Sequence, residues 1–258
     1  MPTVSAPAEP TSASLGAYTR FWRRWFRFAR GYHRYECKNL EILQRGEPFL
    51  VVGYHGRPVA YDLIMLVEEA REQGLMVHPI AHTLFASNAM LRRFQEDMAV
   101  VNDDGPELAD AIARGEHVFV TPGGTREGSR PSSVRYQVDW GSRRGYIRLA
   151  LKYGLRVVPA GGWGSDDCYV VPFDGYRAGK MLRMPLKMPF FVGFGIGLWP
   201  LALPIPVKLT TVLGEPIDLQ ADGPVDPEDD AAVDALHDKV VAAVQALLDA
   251  RPGAGRSA

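Results

Sequence analysis

The sequence predicts an α/β fold: a mainly parallel, mixed sheet covered by helices, with an amphipathic helix in front of it. Two observations carry that prediction. Short apolar runs and amphipathic segments alternate in regular order, the pattern of parallel strands joined by crossover helices. The chain's 258 residues, 47% hydrophobic and 23% charged, are enough to bury a large core and too apolar for a disordered chain.

The elements follow in order. Residues 18–38 read as the amphipathic helix. Residues 48–54 (PFLVVGY) form a buried strand, 60–73 a helix and 76–81 a strand. A helical pattern covers 84–96, a short strand 98–101, a helix 106–114 and a strand 117–121. A helix over 142–153 stops at Gly154 and leads into a strand at 156–160. After a late strand within 207–217, residues 228–250 close the domain as a helix. That helix carries Val233, Leu236, Val240, Val244, Leu247 and Leu248 on one face. Residues 39–250 read as one domain, and 1–17 and 251–258 as loose tails.

Several function classes fall away on composition. Lys plus Arg number 29 and Asp plus Glu 30, so the net charge of −1 argues against a general nucleic-acid binder. Two cysteines, Cys37 and Cys168, can build neither a disulfide scaffold nor a four-cysteine zinc site, and a reducing cytoplasm is the simplest setting. Residues 1–14 have no apolar signal-peptide core. No G-x-S-x-G nucleophile elbow occurs. The stretch 123–130 (GGTREGSR) looks like a phosphate loop, but Ser129 stands where that loop needs Lys. His78 and His82 are four apart, yet Pro79 lies between them and spoils a helical metal pair.

Charge is nonetheless segregated. Between Arg20 and Lys38 there are seven cations against Glu36 alone. Wound at about 100° per residue, Phe21, Trp22, Trp25, Phe26, Phe28, Ala29, Tyr32 and His33 fill one side of the wheel. Arg20, Arg23, Arg24, Arg27, Arg30 and Arg34 fill the other. Aromatics beside arginines suit the boundary between lipid headgroups and acyl chains, so membrane-surface binding is expected of Phe21, Trp22, Arg23, Arg24, Trp25 and Phe26. The alternative is a helix whose aromatics pack on the domain. Residues 188–207 lack charge but hold four prolines and three glycines, which suits a loop partly buried in the protein or touching the membrane surface better than a spanning helix.

Four segments carry the chemistry. In 51–62 (VVGYHGRPVAYD) a buried strand ends and His55 follows, with Asp62 at the start of the next helix. Carboxyl ends of strands are where ligands collect in α/β sheets. A His with a carboxylate on one ring nitrogen is an oriented general base. In 118–130 (VFVTPGGTREGSR) another strand runs into a glycine-rich turn with Gly123, Gly124, Thr125, Arg126 and Glu127. The segments 156–164 (RVVPAGGWG) and 207–217 (VKLTTVLGEPI) are strands leaving through proline and glycine.

In this order the segments resemble the glycerolipid acyltransferase superfamily, whose archetype is 1-acylglycerol-3-phosphate acyltransferase. That family has an H-x4-D block, a P-E-G-T-R block about seventy residues later, a V-P-[VA] strand and a late strand ending G-x-P. The counterparts here are His55 and Asp62, residues 122–126, residues 158–160 and residues 214–216. The spacing is H-x6-D, with Ala60 at the usual aspartate position. Gly123 replaces the glutamate, giving P-G-G-T-R-E, which looks like the branch with diacylglycerol acyltransferases. Asn102 stands where the family's F-I-x-R arginine would hold an acceptor phosphate.

The resemblance implies an O-acyltransferase that moves a fatty acyl group from a thioester, acyl-CoA or acyl carrier protein, to a glycerolipid or lysophospholipid hydroxyl. His55 is the expected base, oriented by Asp62. Amides of the Gly123-Gly124 turn would face the oxyanion, and Gly123 to Glu127 would contact substrate. Neither a metal nor a redox cofactor is implied. The expected partners are the acyl thioester and membrane lipids, at the cytoplasmic face. A thioesterase using water, or a non-catalytic lipid-binding protein, would share the same scaffold.

Overall fold

The computed structural model describes residues 17–57, 60–80, 93, 95–96, 98–181, 193–198 and 203–253. Its centre is a six-stranded mixed sheet. The strands are β1 (Glu36–Lys38), β2 (Phe49–Gly53), β3 (Val77–Pro79), β4 (His117–Val120), β5 (Arg156–Trp163) and β8 (Thr210–Leu213), and they lie in the order β1-β8-β5-β2-β4-β3. All neighbouring pairs are parallel except β5 with β8. Between β5 and β8 in the chain, β6 (Phe194–Gly195) and β7 (Gly197–Leu198) form a separate small hairpin.

Strand β2 is buried along its whole length, and its side chains alternate between two cores. Leu50, Val52 and Tyr54 join Val118 and Val157 on one side of the sheet. There they meet Ile147 and Ala150 of a helix at Gly145–Tyr153 and Val233, Val240, Val244 and Leu248 of the last helix, Asp230–Asp249. Phe49 and Val51 face the other way with Phe119 and Val158, against Leu63, Leu66 and Val67 of a helix at Tyr61–Glu72. Helix ends obey local chemistry. Gly154 closes its helix at φ 64°, and the Asp229 carboxylate caps the last helix by accepting from the amides of Ala231 and Ala232.

Three expectations need correction. The first helix spans Ala17–His33 and stops where Arg34 takes φ 48°; residues 36–38 do not extend it but pair with β8 at the sheet edge. Residues 98–101 make no strand, only a single bridge from Val101 to Ile80. The glycine-rich stretch is not an open turn, since Gly124–Gly128 wind into one short helix. Most of the expected helix at 84–96, including His82 just before it, lies outside the described residues. So does much of 188–207, whose described part is the β6–β7 hairpin and an extended stretch. Among the described residues no helix is long and apolar enough to cross a membrane.

The first helix also divides its aromatic side. Phe26, Ala29 and His33 are buried in the domain, and Trp22 and Trp25 are half-buried against the core around Leu63 and Leu66. Phe21 and Phe28, about a third of a turn away, remain 59% and 58% exposed. Phe26, expected at the lipid surface, is therefore core.

Candidate active site

His55 sits two residues past the end of β2, at the carboxyl edge of the parallel strands. Its backbone N–H donates to Glu127 Oε2 at 2.9 Å, and its Nδ1 lies 3.1 Å from the Gly56 carbonyl. With Nδ1–H donating to that carbonyl, Nε2 keeps its lone pair. Burial lowers the imidazole to about 4, against a smaller upward pull from the Gly56 carbonyl, so the ring is neutral at pH 7.

Asp62 lies in the first turn of the Tyr61–Glu72 helix and is fully buried. It is pressed against glycines: a Cβ on Gly162 of β5 would lie 1.7 Å from its Oδ2, and one on Gly56 would lie 2.8 Å from its Oδ1. These close approaches require glycine at both positions. The helix begins at Ala60 with φ 54°, a conformation L residues rarely adopt. Thus the structure brings Asp62 beside the residue that follows His55. It does not bond the two: His55 Nδ1 faces the Gly56 carbonyl, and neither Asp62 oxygen has a hydrogen-bond partner among the described residues. Burial first, then the Asp166 charge, raises this carboxyl to about 7.

The 123–127 segment divides by role. Glu127 is buried and fully committed. It accepts from the His55 amide, from the Asp139 amide at 3.0 Å and from Trp140 Nε1 at 3.2 Å, and pairs with Arg130 at 3.2 Å. Expected to touch substrate, it instead ties the glycine-rich segment to the histidine loop. Gly123 makes room for it, because a Cβ there would fall 2.1 Å from Glu127 Oε2. The carboxylate thus occupies the space a side chain at 123 would take. Gly124, expected to offer its amide to an oxyanion, gives it to the Thr121 carbonyl at 3.0 Å. Thr125 lies in the short helix, and Arg126 projects outward, half exposed, with Asp139 at 2.8 Å.

A buried polar network supports the histidine loop from below. Tyr54 donates to Asp166, and Arg130 donates to Tyr54 Oη and to the Gln137 carbonyl. Arg57, fully buried, reaches Ser132 Oγ and the carbonyls of Asp166 and Tyr169 at 2.8–3.0 Å. Arg143 braces the Pro122 and Gly123 carbonyls. Sequence reasoning missed these residues, since apart from Gln137, seven from Arg130, their partners are 20–112 positions away; an arginine and a tyrosine flanking the histidine were the available signal. A second histidine, His78 on β3, is buried, with Nε2 2.8 Å from a Glu116 carboxylate oxygen and Nδ1 2.9 Å from the Ala99 carbonyl. Both its nitrogens are engaged, whereas Nε2 of His55 has no hydrogen-bond partner among the described residues. Among the described residues no cluster of His, Cys, Asp and Glu could hold a metal ion.

The chain is similar to several known proteins. A human protein described as a DGAT1/2-independent enzyme synthesizing storage lipids is 25% identical over 229 residues, covering 87% of this chain and 64% of that protein. Diacylglycerol O-acyltransferase 2 of Dictyostelium discoideum is 29% identical over 143 residues, 52% of this chain and 42% of its own. The chain thus spans a little under two thirds of the first relative's length. The fold matches the crystal structure of the 1-acyl-sn-glycerophosphate acyltransferase PlsC from Thermotoga maritima with a TM-score of 0.50 at 18% identity, over 91% of this chain and 79% of the other. The family model described as diacylglycerol acyltransferase matches residues 80–252, taking in the glycine-rich segment though beginning after Asp62. That span is well over half the sequence, and the chain belongs to the diacylglycerol acyltransferase family, within the glycerolipid acyltransferase superfamily.

Proposed function

We propose that the protein transfers a fatty acyl group from a thioester to a lipid hydroxyl, with His55 as general base. The observation that carries this is a neutral imidazole at the exit of β2, its amide pinned by Glu127 and its Nδ1 occupied by the Gly56 carbonyl. In the reaction the acceptor's hydroxyl proton passes to Nε2 as its oxygen bonds to the thioester carbonyl carbon. Collapse of the tetrahedral intermediate breaks the C–S bond, and the imidazolium returns the proton to the thiolate. No acyl-enzyme is needed, because the donor is already activated. Asp62, ionised above about pH 7, stabilises the imidazolium from beneath Gly56 and raises the basicity that burial removes. Arg126, at the surface of the same edge, holds an anionic or polar part of a substrate.

A glycerolipid or lysophospholipid hydroxyl is the acceptor, as the family and the storage-lipid activity named for the human relative suggest. The protein works at the cytoplasmic surface of a membrane, which it meets through the exposed edge of its first helix. Phe21 and Phe28 enter the lipid while Arg20, Arg24 and Arg27, all exposed, meet anionic headgroups.

His55→Ala tests the reading. With acyl thioester and acceptor lipid, the variant should lose on the order of 10²–10⁴ in rate while its thermal melt stays near wild type. Activity within twofold of wild type would remove His55 from the mechanism. Release of free fatty acid without acylated lipid would instead show a thioesterase.

A further inference from the structure

Asp62 is not alone as a buried carboxylate beside the histidine loop. Strand β5 ends at Trp163, the chain turns at Gly164 with φ 84°, and one 3₁₀ turn follows at Ser165–Asp167. A Cβ on residue 164 would fall 2.1 Å from the Lys208 carbonyl oxygen, so the turn requires glycine there. Because β5 runs parallel to β2, this turn emerges at the same sheet edge as His55, and it carries the buried Asp166.

Asp166 holds the chain on both sides of the histidine. Tyr54, which precedes His55, donates its hydroxyl to Asp166 Oδ2 at 2.5 Å. Arg57, two residues after His55, donates from Nη1 to the Asp166 carbonyl at 2.8 Å and brings Nε to 3.9 Å from Oδ1. Oδ2 also accepts from the Tyr136 amide at 2.9 Å. Tyr136 makes that bond with φ 60°, a backbone conformation that costs free energy and gathers at functional sites. Its hydroxyl accepts from the Gly164 amide at 2.9 Å and donates to Asp167 at 2.7 Å, which braces the turn from the other side. Segments far apart in sequence thus meet on one carboxylate, and His55 lies between two of its anchors. The charges around the ring agree. Burial dominates its lowered pKa; beyond the Gly56 carbonyl, Arg130 pushes it down and Asp166 pulls it up. Glu127 sits on the His55 amide, and Asp62 lies beyond Gly56.

We infer that Asp166 is a positioning residue for acyl transfer, a second carboxylate that acts on His55 through Tyr54 and Arg57. The inference rests on the reading of His55 as general base. By gripping both flanks, Asp166 keeps the loop in the one geometry in which the Gly56 carbonyl holds Nδ1–H and Nε2 is left to take the acceptor's proton. Its negative charge steadies the imidazolium that forms when that proton arrives.

Asp166→Asn keeps an acceptor oxygen for Tyr54 and the Tyr136 amide but removes the charge, whereas Asp166→Ala removes both. Full-length variants are assayed for kcat and KM with acyl thioester and acceptor lipid, well below each one's melting temperature. Nitrogen NMR of the histidine ring reads the tautomer and protonation of His55. Asp166→Ala should lower kcat on the order of 10²-fold, as a misplacement of about 1 Å does, with KM changed less than about twofold. It should also replace the single His55 tautomer by a mixture. Asp166→Asn should keep the tautomer but show less imidazolium than wild type at the same acidic pH. Val233→Ala, at a buried position of the last helix, supplies a destabilised control that should leave kcat and the His55 signals unaltered. Should Asp166→Ala fail to fold, Asp166→Asn and Tyr54→Phe decide through kcat and the His55 signals. A kcat within twofold of wild type for the folded variants overturns the inference, as does a melting temperature lowered with the His55 signals unchanged, which would leave Asp166 a stabiliser of the fold alone. If His55→Ala stays fully active while Asp166→Ala scrambles the His55 tautomer, the positioning stands and the general-base reading falls. If His55→Ala is inactive while the Asp166 variants turn over normally, the general base stands and the positioning falls.

Discussion

Replacing Asp62 by Asn should make stability depend on pH in a way the wild type conceals. The Asp62 carboxyl is fully buried, and burial together with the Asp166 charge raises it from an ordinary 3.8 to about 7. The folded protein therefore holds this proton more tightly than the unfolded chain. The resulting stability is fully present below about pH 4 and is lost as pH rises through 7. The displacement corresponds to about 4 kcal/mol. His55 acts in the opposite sense. Burial lowers it from 6.5 to about 4, so its contribution is present above 6.5 and lost as pH falls through 4. Between those limits the two trends nearly cancel in the wild type.

Asp62→Asn removes one of them. Urea unfolding of both proteins at pH 4 and pH 8 gives the variant's stability relative to wild type at each pH. That difference should grow by about 4 kcal/mol in the variant's favour toward pH 8. Comparing across pH cancels the fixed packing cost of the amide. A difference that moves by less than about 1 kcal/mol would show that Asp62 is not held neutral by burial and does not ionise near neutrality.

Three further outcomes follow from the same geometry. Glu127→Ala strands buried Arg130 and frees the His55 amide, so it should cost about 3–5 kcal/mol in urea unfolding, with Glu127→Gln costing less; equal stabilities would contradict its role as the tie between the two segments. Arg126→Ala, at a half-exposed side chain, should raise KM for one substrate more than it lowers kcat, and steady-state kinetics with unchanged KM for both donor and acceptor would exclude a binding role. Phe21→Ser with Phe28→Ser should abolish liposome flotation with little change in Tm. Phe26→Ser should instead lower stability by about 3–5 kcal/mol, as loss of a core phenylalanine does; undiminished flotation of the first variant would refute the lipid-facing edge.

How much of this was legible in the sequence depended on the range of the interactions involved. Strand β2 and the helices at Tyr61–Glu72 and Asp230–Asp249 were readable because local periodicity determines which faces are buried. Strand β1 was not, since Glu36, Cys37 and Lys38 at a sheet edge carry no apolar pattern and charged residues are what edges favour. The helical wheel separated aromatics from arginines in the first helix. It could not say which part of the aromatic arc meets the core, because that depends on how the helix is docked against Leu63 and Leu66. Glu127 was misread for the same reason: its partners Arg130, Asp139 and Trp140 are near in sequence, but its decisive contact is the amide of His55, 72 residues away.

The glycines held information that turn chemistry hid. Gly123 and Gly162 belong to Gly-Gly pairs that read as loop punctuation, yet Gly162 lies inside β5. A glycine within a strand marks a place where another group approaches the backbone closely. Here the nearest approaching groups are carboxyls at two sites, Asp62 at Gly162 and Glu127 at Gly123, while Gly56 meets Ser165 and then Asp62. In the P-G-G-T-R-E stretch, the carboxylate of Glu127 fills the space that a side chain at position 123 would take. A side chain at 123 would collide with Glu127, and one at 162 with Asp62.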